Sequence, residues 1–228
     1  MKTKNAFTLI ELLVVAGIIA VLAGLLLPVF SKAKAKANRA GCINNLRQIN
    51  LGTLMYAHDS ADTFPLLPTP NPYPNSEAFF FKELMKSYVG LNGPPKQGDQ
   101  LFTCPSEYAS PSDGRPSSAY IVDYNDYYFN VWMPGKKTSS VKHPTLTALV
   151  TESSACVGYS WHRPQSNYVP VNNPPNVEPY LHYAYNNAMN EMSFVDGHIN
   201  YIKIYNDGMS MSCEYEPTNG YDYQWNGD

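Results

Sequence analysis

The residues best suited to chemistry in this chain are its four cysteines, Cys42, Cys104, Cys156 and Cys213. An even number of cysteines predicts disulfides if the protein works in an oxidising compartment, and three pairings are possible. No two cysteines are spaced as Cys-x-x-Cys, so the sequence does not favour a zinc ribbon or a thioredoxin-like redox site. We expect Cys42, on a predicted helix, to pair with Cys104 in the adjoining loop, which leaves Cys156 for Cys213.

The histidines and acidic residues form no recognisable catalytic pattern. Glu152 ends an apolar run and is predicted to lie on a buried strand, near no obvious partner. The chain contains neither a Gly-x-Ser-x-Gly elbow nor a phosphate-binding loop. The sequence therefore predicts a protein that is not an enzyme. The five histidines are scattered along the chain: His58, His143, His162, His182 and His198.

Glu11 stands directly before the longest apolar segment of the chain. Residues 12–30 are nineteen in a row without a charge, which is enough for a helix to span a membrane. The apolar side chains favour insertion by about 5–10 kcal/mol, and a carboxylate opposes it by at most about 3 kcal/mol. A cleaved secretory signal is disfavoured, because the stretch is long and no small-residue cleavage site follows it. A carboxylate at this place is costly and therefore indicates a function.

The charges divide the chain into an apolar, a basic and an acidic part. Residues 31–47 carry five basic side chains and no acidic one, whereas the chain from residue 48 carries nine basic and eighteen acidic side chains, a net charge of −9. This acidic body would repel phosphate, so we expect no nucleic-acid partner. The basic segment could instead contact lipid headgroups or the acidic body of a neighbouring subunit. Charged residues make up only 15% of the chain, which excludes a disordered charged tail protein.

One long helix is predicted from about Thr8 to about His58. Its first part is apolar, and its second part is rich in good helix formers, with apolar residues recurring every three to five positions. Pro28 lies inside this helix and predicts a kink or local melting, because proline lacks an amide hydrogen and clashes with the preceding turn.

The rest of the chain predicts a mixed body of helix and sheet. Residues 77–90 have the pattern of a short amphipathic helix that is closed by Gly90. Three runs with alternating apolar residues, 119–132, 145–153 and 192–205, predict antiparallel strands with Asp-Gly turns near Gly197 and Gly208. The predicted fold class is α+β, with a long N-terminal helix, half apolar and half amphipathic, packed on an antiparallel sheet.

The residues KNAFTLIELLVVAGIIAVLAGLLLP resemble the N-terminus of type IV prepilins and type II secretion pseudopilins. The resemblance implies that a prepilin peptidase cleaves between Ala6 and Phe7 and methylates the new amine of Phe7, with Ala6 in place of the usual glycine. Glu11 then falls at the position of the family's buried glutamate, which pairs with the N-terminal amine of a neighbouring subunit. Pro28 falls at the position of the family's helix-kinking proline.

This resemblance implies four regions and an assembly function. The regions are a leader at 1–6, an apolar transmembrane and filament-core helix at 7–31, an amphipathic continuation at 32–59 and an α+β body at 60–228. The implied function is that of a structural subunit of a type IV pilus-like surface filament. Such a subunit waits in the inner membrane with its body outside the cytoplasm, and an inner-membrane machine assembles it into a homo-oligomer. Two alternatives stay open: a pseudopilin of a type II secretion system, and a membrane-anchored module that binds a ligand or adheres through its many aromatic residues.

The body has a narrower resemblance, to pilin-like proteins with a His-x9-Asp-Gly signature near the C-terminus. The residues that carry it include CINNLRQ at 42–48 and FVDGH at 194–198. His182 precedes Asp196 by fourteen positions, four more than the signature has, so no function passes to His182. Asp196 is interpreted as part of a hairpin turn. Because secretion pseudopilins bind calcium in a C-terminal loop, a calcium site that includes Asp196 and Asp207 is the alternative, and we expect no other cofactor.

Overall fold

A computed structural model describes the chain at 8–66, 77–93, 100–106, 126–156, 160, 162, 168–169, 184–185, 188–205, 216–217 and 220–228. The chain forms two compact units, Met1–Asn38 and Arg39–Asp228. Several predictions of the sequence lie outside the described residues: the cleavage site at Ala6 and Phe7, the turn near Gly208, His182, Asp207 and Cys213.

Helix α1 spans Leu9–Asp59 and confirms the predicted long helix to within one residue at each end. It passes through Pro28 without interruption, so the local melting that the proline predicted is not found. In the first unit its apolar side chains lie exposed on all sides of the helix, and this helix is long and apolar enough to cross a membrane. Its first part therefore has no core of its own to pack against.

In the second unit, α1 buries one face in the core of the body. The buried residues recur every three or four positions, as one face of a helix requires: Cys42, Leu46, Ile49, Thr53 and Ala57. A Cβ atom at Gly52 would lie 2.6 Å from Cγ1 of Val89, so glycine allows this face to approach its neighbour closely.

A short helical segment packs beside α1, as the sequence predicted. Helix α2 spans Glu77–Met85 and continues as a 3-10 turn over Lys86–Val89. Gly90 ends it with a φ of 77°, the left-handed conformation that glycine adopts without strain. A second 3-10 turn, Gln100–Phe102, leads to Cys104.

The body contains a four-stranded antiparallel sheet, which confirms the α+β, pilin-like layout. The strands are β1 Tyr127–Phe129, β2 Ala148–Glu152, β3 Tyr168–Val169, β4 Ala184–Tyr185, β5 Met189–Phe194 and β6 Ile199–Lys203. The strand order in the main sheet is β1-β2-β5-β6, and a separate pair, β3 with β4, forms a second small sheet. A short helix α3, Ser153–Cys156, follows β2 directly.

Both faces of the main sheet are covered. Tyr127 and Phe129 of β1 pack in the same cluster as α1, whereas Tyr128 between them packs in a second cluster on the other face. The second cluster includes Tyr223 and Trp225 near the C-terminus, which are 4% and 0% exposed. Burial of these aromatic rings supports core packing as their function rather than a surface for glycans.

Candidate functional site

The first candidate site is the beginning of α1, where Thr8 and Glu11 cap the helix. The amide of Thr8 donates a hydrogen bond to Oε2 of Glu11 at 2.9 Å, and the hydroxyl of Thr8 donates to the same oxygen at 2.8 Å. In return, the amide of Glu11 donates to Oγ1 of Thr8 at 3.3 Å. This is a capping box, which satisfies amides that the helix cannot satisfy itself.

The capping box gives Glu11 a structural function that the sequence analysis did not assign to it. The pattern Thr-x-x-Glu before an apolar run was the signal that could have revealed it. The carboxylate therefore has a partner within its own chain. Its implied pairing with the amine of Phe7 in another subunit stays a prediction, since Phe7 lies outside the described residues.

Pro28 leaves one carbonyl of α1 without its usual donor. Because proline has no amide hydrogen, the carbonyl of Gly24, four residues earlier, lacks the hydrogen bond of a regular helix. The helix nonetheless continues on both sides. Whether Pro28 acts in assembly stays a prediction.

The second candidate site surrounds a buried disulfide between Cys42 and Cys104, the pairing that the sequence favoured. The bond joins α1 to the loop after the Gln100–Phe102 turn across 62 residues of sequence, and the two cysteines are 0% and 2% exposed. The amide of Cys104 donates to Oδ2 of Asp126 at 2.6 Å, which fixes the loop beside β1. The side chain of Cys156 and all of Cys213 lie outside the described residues.

Glu152, at the end of β2, and His162 lie against this disulfide. Oε1 of Glu152 is 3.4 Å from Sγ of Cys104 and 2.5 Å from Nε2 of His162. Because a disulfide sulfur carries no hydrogen, the contact with Cys104 is not a hydrogen bond. The side chains of Glu152 and His162 are 0% and 1% exposed. We name these four residues, Cys42, Cys104, Glu152 and His162, the disulfide cluster.

The polar groups of the disulfide cluster are only partly satisfied. Oε2 of Glu152 accepts a hydrogen bond from the amide of Glu191 at 3.3 Å. Nδ1 of His162 has no hydrogen-bond partner among the described residues, although it is buried. Glu152 was expected to have no obvious partner, and this was wrong, because His162 pairs with it. No motif or sequence spacing links Glu152 to His162, and only the folded chain brings their side chains together.

An ion pair lies next to the cluster and ties α1 to the sheet. Nε of Arg39 is 2.6 Å from Oε1 of Glu191 on β5, and its guanidinium carbon lies 3.7 Å from the ring centre of Tyr201 on β6. Burial raises the pKa of Glu191, and the hydrogen bond and charge of Arg39 oppose that rise. Arg39 was counted with the basic segment in the sequence analysis, but it belongs to the packing of the body.

The Asp-Gly-His segment forms the turn between β5 and β6. Oδ1 of Asp196 accepts a hydrogen bond from the amide of His198 at 3.2 Å and lies 2.6 Å from Nδ1 of the same histidine. The ring of His198 stacks on the ring of Phe194. Gly197 has a φ of 95°. The carboxylate thus serves the turn, and calcium binding through Asp196 and Asp207 stays a prediction, since Asp207 lies outside the described residues.

Comparison with known proteins agrees with the fold. Residues 1–27 match the family model of the prokaryotic N-terminal methylation motif, the signature of type IV pilins and pseudopilins. No curated protein and no solved structure matches the chain. The long N-terminal helix and the antiparallel sheet form an α+β, pilin-like layout, so the fold agrees with the matched motif. The motif supports a structural protein of the pilin-like or pseudopilin kind, and it implies processing by a prepilin peptidase and anchoring in the membrane before assembly.

Proposed function

We propose that this protein is a structural subunit of a type IV pilus-like surface filament. The observation that carries the proposal is the methylation motif at residues 1–27, which leads into a helix whose apolar side chains lie exposed. In this proposal a prepilin peptidase cleaves between Ala6 and Phe7 and methylates Phe7. An inner-membrane machine then moves the subunit into a filament, and the body stays outside the cytoplasm.

The exposed apolar side chains of α1 support this proposal, because they need an apolar environment both before and after assembly. Leu9, Leu25 and Phe30 are 81%, 68% and 72% exposed. Each square ångström of apolar surface costs about 25 cal/mol in water, so a surface of this size must be covered. Lipid covers it before assembly, and the helices of other subunits cover it in the filament.

Two glycines in the apolar part of α1 favour contact with another helix. A Cβ atom at Gly17 or at Gly24 would meet nothing within 4 Å, so both positions are open. Small residues let neighbouring helices approach closely, and close approach is the main source of helix association in an apolar medium. In the proposed filament, Glu11 pairs with the methylated amine of Phe7 of a neighbour, because either charge alone would be costly in the apolar core.

The experiment that tests the proposal is intact-mass and N-terminal analysis of the protein from a sheared cell-surface fraction and from membranes. The proposal expects a chain that begins at methylated Phe7 and is abundant in the sheared fraction. The same processed chain confined to membranes would favour a pseudopilin, the alternative function. A chain that keeps its leader in both fractions would overturn the assembly function and favour a membrane-anchored binding module.

A further inference from the structure

The disulfide cluster contains the atoms of a metal site. Its four candidate ligand atoms are the sulfurs of Cys42 and Cys104, a carboxylate oxygen of Glu152 and a ring nitrogen of His162. All four atoms lie within 4.8 Å of one another. Two thiolates, one imidazole and one carboxylate are ligands that zinc takes in four-coordinate sites.

The cluster also contains more polar groups than a disulfide needs. A disulfide is uncharged, and apolar neighbours would suffice to bury it. Burying a carboxylate and an imidazole beside it instead costs free energy unless every polar atom is paired. Here Oε1 of Glu152 is paired with Nε2 of His162 and also touches a sulfur that cannot donate to it, whereas Nδ1 of His162 has no partner among the described residues.

We propose that the disulfide cluster binds one Zn²⁺ ion when the disulfide is reduced. A small dithiol supplies the two electrons and two protons: the Cys42–Cys104 bond breaks, both cysteines become thiols, and the dithiol closes into its own cyclic disulfide. Zn²⁺ then displaces one proton from each thiol. Two sulfurs, Glu152 and His162 complete its coordination. This inference goes beyond the proposed filament function and does not depend on it.

The proposed ion preserves the connection that the disulfide makes. In a tetrahedral site with Zn–S bonds of about 2.3 Å, the two sulfurs lie about 3.8 Å apart, so α1 and the Cys104 loop need to separate only slightly. In reducing conditions the ion would then hold α1 to the Cys104 loop, as the covalent bond does in oxidising conditions. Calcium does not fit this site, because sulfur and nitrogen are poor ligands for a hard cation.

The experiment uses the full-length protein in detergent, with Cys156 and Cys213 both replaced by serine so that they cannot bind the ion. The protein is reduced with a phosphine, which is then removed without air, and Zn²⁺ is titrated against a chromophoric chelator. We expect one tightly held ion per reduced chain and none in the oxidised chain. With Co²⁺ as the probe, we expect thiolate charge-transfer and tetrahedral ligand-field absorption.

Two variants separate the proposed site from chance binding by two thiols. His162→Gln and Glu152→Gln remove one ligand each. Loss of a residue that only supports a ligand already lowers metal affinity by about tenfold, so loss of a ligand itself should lower it by more. His198→Gln, an exposed histidine outside the cluster, should change nothing. Circular dichroism reports whether each reduced chain is folded.

Three results would overturn the proposal. The first is a reduced chain that takes up no stoichiometric ion, and the second is a His162→Gln variant that binds as tightly as the parent. The third applies if reduction unfolds the protein: Zn²⁺ must then restore the fold, and a chain that stays unfolded contradicts the site. If Glu152→Gln fails to fold, His162→Gln and the titration of the parent protein decide the question.

Discussion

The carboxylate of Glu11 has a partner in the single chain, and the proposed filament gives it a different one. In the single chain its carboxylate accepts two hydrogen bonds from Thr8 and caps α1. In the proposed filament it faces the amine of Phe7 from another subunit. The capping bonds reduce the cost of placing this carboxylate in an apolar segment before any neighbour arrives, because the oxygen atom is already hydrogen-bonded.

The first prediction separates these two functions of Glu11. Glu11→Ala removes both the cap and the inter-subunit charge, and we expect no filaments in the sheared fraction. Thr8→Ala removes the hydroxyl of the cap but keeps the carboxylate of Glu11, at a cost of about 1 kcal/mol in helix stability, and we expect filaments to persist. Mass analysis checks that both variants are cleaved. Filaments from Glu11→Ala would show that charge pairing is not needed, and their loss in Thr8→Ala would make capping the decisive function.

The pair of Arg39 and Glu191 leads to a prediction about pH. Burial raises the pKa of Glu191, so the folded state holds this proton more tightly than the unfolded state does. The stability that Glu191 contributes is therefore fully present below the pKa that Glu191 has in the unfolded chain. It is lost as pH rises through the higher pKa that Glu191 has in the folded chain. Arg39 limits that loss, because it stabilises the ionised form. Without Arg39 the pKa of Glu191 should rise further.

We therefore expect Arg39→Ala to destabilise the body more at neutral than at acidic pH. Near neutral pH we expect the free energy of unfolding to fall by about 1–3 kcal/mol. This lies between the energies of a surface ion pair and of a buried one, because Arg39 is 38% exposed. At about pH 4 the loss should shrink, since protonated Glu191 needs no cation. Denaturant unfolding at both pH values measures this. Arg47→Ala, an exposed arginine on the same helix, is the control, and an equal effect of Arg39→Ala at both pH values would contradict the mechanism.

At the scale of elements, helices proved more predictable than the short strands. The ends of α1 and the stop of α2 at Gly90 follow from local signals, apolar periodicity and a glycine with positive φ. β3 and β4 have two residues each, too few to show a period, and the sequence analysis missed them. β5 begins at Met189, three residues before the predicted run, because its register is set by β2 and β6.

The disulfide cluster was not predictable in full, because its members come from separate parts of the chain. The cysteine pair had a signal, since exported cysteines tend to pair and one of them lay on a predicted helix. Glu152 and His162 had none: neither the spacing between them nor their neighbours suggest a site. Only the antiparallel pairing of β2 with β1 and β5 brings Glu152 to the buried end of the disulfide.

A prediction at the scale of elements concerns the close contact between α1 and the turn after α2. A Cβ at position 52 would lie 2.6 Å from Cγ1 of Val89, and this side chain is short and stiff. Overpacking costs about 1–3 kcal/mol, more than the gain of about 1 kcal/mol when alanine replaces glycine in a helix. We therefore expect Gly52→Ala to lower the free energy of unfolding.

Val89→Ala supplies the matched test of this clash. In the Val89→Ala background, Gly52→Ala should cost less or become stabilising, because the opposing methyl group is gone. A double-mutant cycle from denaturant unfolding measures the coupling. A coupling near zero would mean that the two elements shift apart without strain.

At the scale of the whole molecule, the chain combines two different kinds of stability. The described part of the first unit is exposed helix, and in the proposed function lipid or other subunits cover it. The second unit has its own core on both faces of the sheet. The sequence indicated this division, because it combines a charge-free run of nineteen residues with an acidic segment of net charge −9 from residue 48. A run of that length is typical of a membrane-spanning helix rather than of the core of a soluble domain. Amino-acid composition does not indicate which assembly machine or which partner subunits a filament protein uses.

The last prediction concerns the disulfide between α1 and the Cys104 loop, the one disulfide that the described residues contain. The Cys42–Cys104 bond closes a loop of 62 residues, which restricts the unfolded chain and stabilises the fold by about 4 kcal/mol in the loop-entropy description. Replacing both cysteines with serine should lower Tm by about 8–16 °C for a chain of this size. Calorimetry of the processed protein in detergent measures the change.

Each single variant, Cys42→Ser or Cys104→Ser, breaks the same bond as the double variant. The losses of unfolding free energy in the three variants should therefore agree within about 1 kcal/mol. If the two cysteines stabilised the fold independently, the loss in the double variant would instead be the sum of the two single losses. A double variant that loses about twice as much as either single one would show that packing of the two sulfurs, rather than the bond, supplies the stability. A negligible loss in all three would mean that Arg39, Glu191 and the core hold α1 to the sheet without the covalent link. The disulfide cluster would then be dispensable for folding, and the burial of its polar groups would need another cause.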